Sequence, residues 1–201
     1  MISKRKELSD TLLSLLFGAC IYETVSISKL GPIGINDAFL IISTFLTALR
    51  FYIGNKVFIS DLTFSETKLV IWIYDLLIII IQSALFIALG ALCTIKSNIN
   101  VVHNFYQIYL SILTLDVLWI LSQYILGRIF KSWNRKKIPA KWAVANSVYI
   151  VIIFLVFTLS NEPYGFSSLL TVFLVSVVAF ILDVIGFDYA EIDIPDNNNT
   201  C

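Results

Sequence analysis

The stretch L-V-I-W-I-Y-D-L-L-I-I-I-I-Q-S-A-L-F-I-A-L-G-A-L-C-T-I, Leu69 to Ile95, carries one charged side chain, Asp75, and is otherwise apolar apart from Gln82 and a few small polar residues. A helix rises about 1.5 Å per residue, so about 20 mostly apolar residues cross the roughly 30 Å of hydrocarbon in a bilayer. This stretch is longer than that and reads as a transmembrane helix with length to tilt or project. Five further apolar windows flank it: Leu8–Ile27, Asp37–Ile53, Val101–Phe130, Trp142–Ser160 and Phe166–Ile185. The expected fold class is therefore all-α, a polytopic integral membrane protein of about six transmembrane helices. Residues 1–201 form one bundle domain, with a short acidic cytoplasmic tail over 186–201.

Composition agrees with that reading. The chain is 58% hydrophobic and 14% charged, with a mean hydropathy of +0.87, whereas soluble domains are about 25% charged. Helix punctuation falls between the windows. G-P-I-G-I-N-D precedes the second, with Asn36 or Asp37 as its N-cap, and I-G-N closes it with Gly54 in the C′ position.

Cations set the orientation. With a cytoplasmic N-terminus, Lys4, Arg5, Lys6, Arg50, Lys56, Lys68, Arg128, Lys131, Arg135, Lys136, Lys137 and Lys141 lie inside, and Lys29 and Lys96 outside. That asymmetry is the positive-inside pattern, and it puts both termini in the cytoplasm of a multi-pass cell-membrane protein, here a bacterial inner membrane. The tripeptide N-N-T at Asn198–Thr200 then never meets a glycosylation enzyme. An alternative first segment is a lipoprotein-like signal ending at Cys20, opposed by Glu7, Asp10 and the apolar run continuing to Ile27.

Few residues carry chemistry. Cys20, Cys93 and Cys201 are far apart and His103 is the single histidine, so no metal, cofactor or redox-dithiol site is expected. No H-E-x-x-H, G-x-S-x-G or phosphate-cradling glycine loop occurs. Tyr74-Asp75 with I-G-F-D ending at Asp188 falls short of a two-carboxylate intramembrane protease. Its second glycine is missing and Asp188 lies beyond the apolar run. The chain is read as a non-enzyme, with no catalytic residue.

Charged and strongly polar groups inside spans are the functional candidates, because their burial is costly. By depth, Arg50, Asp75, Asp116, Asn146 and Asp183 gather as a polar network in the inner half of the bundle. Arg50 either snorkels to lipid phosphate or turns inward to Asp75 and Asp183, whose carboxylates suit its forked guanidinium. Glu23, Gln82, His103 and Gln107 are expected in an outer vestibule. The connection R-I-F-K-S-W-N-R-K-K-I-P-A-K-W supplies Arg128, Lys131, Arg135, Lys136, Lys137 and Lys141, a docking surface for anionic lipids or a cytoplasmic protein partner rather than nucleic acid.

Two functions follow as expectations. The first is a homo-oligomeric channel or permeation pathway along the inner-half polar residues. The second is a membrane sensor or effector subunit of a stress or defence system, acting with a cytoplasmic partner through residues 128–141 and the acidic tail. A small carrier ranks lower, since no duplication or pair of broken helices is visible.

Overall fold

The computed structural model describes residues 2–26, 33–60, 69–129, 137–138, 140–160, 165–183 and 192–193. They form six helices: α1 (Ile2–Val25), α2 (Ile35–Ser60), α3 (Leu69–Leu92), α4 (Ile99–Ile129), α5 (Ala140–Leu159) and α6 (Phe166–Ile181). Two-residue strands, β1 (Lys137–Ile138) and β2 (Ile192–Asp193), pair antiparallel with Lys137 opposite Asp193. Four helices, α2 to α5, are long and apolar enough to cross a membrane. At 16 residues α6 is shorter than the sixth apolar window, because its last turn widens to a π turn at Leu182–Asp183.

Helix starts follow local chemistry. The Asp37 carboxylate accepts the Gly34 N–H at 3.0 Å, closing the first turn of α2 as the reach-back half of a capping box. Its other oxygen accepts the Ser97 N–H at 2.8 Å and ties α2 to the α3–α4 turn. Asn98 caps α4 by accepting the Val101 N–H at 3.0 Å.

Gly54 does not end the second helix, as the sequence had suggested. α2 runs on to Ser60, and Gly54 sits within it where a Cβ would stand 2.1 Å from the Trp142 ring of α5. The glycine is there for a close approach between helices rather than for a left-handed cap. Gly90 of α3 is similar, since a Cβ there would lie 3.0 Å from Thr24 Oγ1 and 3.1 Å from the Cys20 carbonyl of α1.

The helices close into a ring. Going round it, α1 touches α2, α2 touches α6, then follow α5, α4 and α3, and α3 returns to α1; α2 also reaches across to α3. Consecutive helices are antiparallel. Asp10 of α1 pairs with Lys56 of α2 at 2.9 Å, and Phe17 stacks on Tyr52. Non-consecutive neighbours are parallel: Ser9–Trp72 and Cys20–Phe86 join α1 to α3, and Phe39–Phe166 and Thr47–Ser176 join α2 to α6. One face of the ring therefore carries the start of α1 and the end of α6, together with the β1–β2 ladder; it is called the tail face below. Between the helices lies a core that includes Leu40, Phe51, Phe86, Phe105, Ile112 and Leu169.

A candidate polar column inside the helix ring

α4 carries Tyr109, Asp116 and Gln123 at intervals of seven residues, two helical turns, so they stack on one buried stripe. Each is the centre of a hydrogen-bonded layer. Together the layers span about 21 Å of the helix axis at 1.5 Å per residue.

The layer furthest from the tail face is made of hydroxyls. Tyr109 Oη lies 3.1 Å from Thr47 Oγ1 of α2 and 2.8 Å from Ser176 Oγ of α6. Beyond it, Leu40, Phe105 and Leu169 fill the ring with apolar side chains that are 2% exposed or less.

The middle layer holds the charges. Asp116 accepts Gln82 Nε2 of α3 at 3.1 Å on one oxygen and Asn146 Nδ2 of α5 at 2.6 Å on the other. Arg50 of α2 donates its Nε–H to Asp183, just past α6. Its guanidinium stands 5.5–5.6 Å from the ring centroids of Phe51, Trp142 and Tyr149. Asp116 lies within electrostatic reach of it. Arg50 Nη2 and Asn146 Oδ1 are buried with no hydrogen-bond partner among the described residues.

The layer nearest the tail face is built on Asp75 of α3. One of its oxygens accepts both Gln123 Nε2 at 2.8 Å and Trp119 Nε1 at 3.0 Å from α4.

The five sequence candidates thus divide. The structure brings Arg50, Asp116, Asn146 and Asp183 into one layer and sets Asp75 in the next. Arg50 is 2% exposed and faces inward, so it does not snorkel, and Asp183 rather than Asp75 is its partner. Gln82 is corrected most: placed by sequence in an outer vestibule, it is 3% exposed at the centre of the ring. His103 and Gln107 instead pair with each other on the surface at 2.9 Å. Of the basic connection, Arg128 and Lys141 are exposed, Lys137 lies in β1, and Lys131, Arg135 and Lys136 lie outside the described residues, as do residues 186–191 and 194–201 of the tail.

Gln82 and Gln123 had a signal in the sequence. α3 reads Asp75, then Gln82 seven residues on; α4 reads Asp116, then Gln123 at the same spacing. When the two helices pack antiparallel, each acid meets the other helix's glutamine.

No protein-family profile matches this chain, and neither a curated protein nor a solved structure shows significant similarity to it.

Proposed function

We propose that the protein is a non-enzymatic, multi-pass membrane protein that conducts protons or a small cation along the polar column. The inner membrane of a bacterium is its site. All six helices span the bilayer in this reading, the tail face and both termini are cytoplasmic, and a homo-oligomer carries one pathway within each ring. A single observation carries the reading: the middle layer holds two carboxylates but one cation, Asp183 being paired with Arg50 while Asp116 accepts from the neutral amides of Gln82 and Asn146. The layer therefore holds one negative charge in excess when its acids are ionised. In low dielectric such an excess attracts a proton or cation and repels anions. Asp75, about 10 Å along the axis, offers the next acidic station towards the tail face.

In this reading the described state is closed, and the buried Leu40, Phe105 and Leu169 serve as an apolar gate that excludes water. Proton and cation flux into proteoliposomes of the purified chain tests the proposal. Phe105→Ala is expected to raise flux at least several-fold. Asp116→Asn is expected to lower or re-select it while the protein still purifies folded. No flux from the wild type or Phe105→Ala would overturn the proposal, and loss of folded protein in Asp116→Asn would make that acid structural.

A second reading is a sensor or effector subunit with a cytoplasmic partner. The β1–β2 ladder favours it, because it joins the basic connection to the acidic tail at the only paired strands among the described residues. A soluble protein that co-purifies with the wild type and is lost on neutralising Lys131, Arg135, Lys136 and Lys137 would support this reading over the channel.

A further inference from the structure

A groove of about 740 Å³ runs along the outer face of the ring between α4 and α5, within the ~300–1,000 Å³ of ligand sites. Its walls are apolar: Val117, Leu121 and Tyr124 from α4, and Val144, Val148 and Val151 from α5. The heptad-like spacing that lines it continues at the tail-face end into cations. On α4 the stripe Val117, Leu121, Tyr124 leads at the next turn to Arg128, whose guanidinium lies 4.8 Å from the Tyr124 ring centroid. On α5 the stripe Val151, Val148, Val144 leads back to Lys141. Both cations are exposed. A groove that is apolar but for Ser147 and the Tyr124 hydroxyl thus ends, on both walls, in a positive charge.

Length agrees with one occupant. From Lys141, just beyond the groove, to Ile152 at its far end, α5 rises about 16 Å at 1.5 Å per residue, about half of a roughly 30 Å hydrocarbon core and so the depth of one leaflet. α5 is also the least buried of the four long apolar helices, 22% against 39–44%, so its outer face is open to lipid.

We propose that this groove is a discrete anionic phospholipid site: an acyl chain lies between α4 and α5, and the lipid phosphate is held by Arg128 and Lys141. Tyr124 sits at the boundary, with its ring under the guanidinium. An anionic headgroup is preferred to a zwitterionic one because a choline would bring a third cation to the pair. The site is independent of the polar column, since none of its residues belongs to the three layers.

Native mass spectrometry of the full-length protein, released from vesicles of equimolar phosphatidylglycerol and phosphatidylcholine, tests it. The wild type is expected to retain phosphatidylglycerol selectively. Arg128→Gln and Lys141→Gln should each lower that retention about fivefold, the equivalent of one surface cation. Val148→Trp, which fills the groove from an exposed position, should abolish retention of both lipids; all three positions are exposed, and circular dichroism checks that each variant folds. Equal retention of the two lipids by the wild type, or undiminished retention in the charge and groove variants, would overturn the proposal. So would disulfide capture of a second copy across the groove through Val144→Cys and Val151→Cys.

Discussion

Arg50 shows how a cation is kept in an apolar helix. It gains one carboxylate, Asp183, and three aromatic faces, and among the described residues it still leaves Nη2 without a hydrogen bond. Removing one member of such a buried pair leaves the other charge stranded, at a cost of about 3–5 kcal/mol. Arg50→Gln is therefore expected to lower the melting temperature in detergent sharply, and Arg50→Gln with Asp183→Asn to recover most of it. Arg50→Lys should not match the wild type, because an ammonium lacks the planar fork that pairs and stacks at once. Equal stability of Arg50→Lys and wild type would contradict this account. At this scale the sequence was informative about which residues matter and less so about whom they meet. Depth along each helix follows from counting, but rotation about each helix axis does not, and rotation decided that Asp183 and not Asp75 faces Arg50.

Among the elements, α2 departs most from its sequence reading. A glycine after an apolar run resembles a helix end, yet Gly54 is interior because the Trp142 ring occupies its Cβ position. Alanine is the better helix former by about 1 kcal/mol, but overpacking of a filled interface costs about 1–3 kcal/mol. Gly54→Ala is expected to be destabilising in thermal melts, and Trp142→Phe, with a shorter ring, to relieve most of that loss in the double variant. Additive losses would show that the two positions are not coupled. The α3–α4 pairing lies at the other extreme. The matched Asp-to-Gln spacings were present in the sequence and fixed the register once the helices were known to be antiparallel neighbours. Read singly, Gln82 was expected in an outer vestibule and Gln123 was not among the candidates.

For the whole molecule, the apolar helices α2 to α5 were legible from hydropathy, since each is long enough to cross a membrane on its own residues. The ring order was not. Neighbours such as α1 with α3 and α2 with α6 are parallel and far apart in sequence, and small residues and aromatic shapes that select them leave no periodic signal. The alternation of helix directions makes a topological prediction. Reporter fusions at residue 1 and residue 201 are expected to read the same compartment, and one inserted in the turn at 94–98 the opposite compartment. Opposite readings at the two ends would break the six-span topology.

The ring order also has a consequence for synthesis. α6 wedges between α2 and α5 and leads into Asp183, so of the six helices the closing stave is the last to be synthesised. Until it packs, the nascent bundle has an open seam, and Arg50 sits in its apolar helix without its ion-pair partner. A chain truncated after α5 would keep that defect, a charge left without its counter-ion among apolar helices.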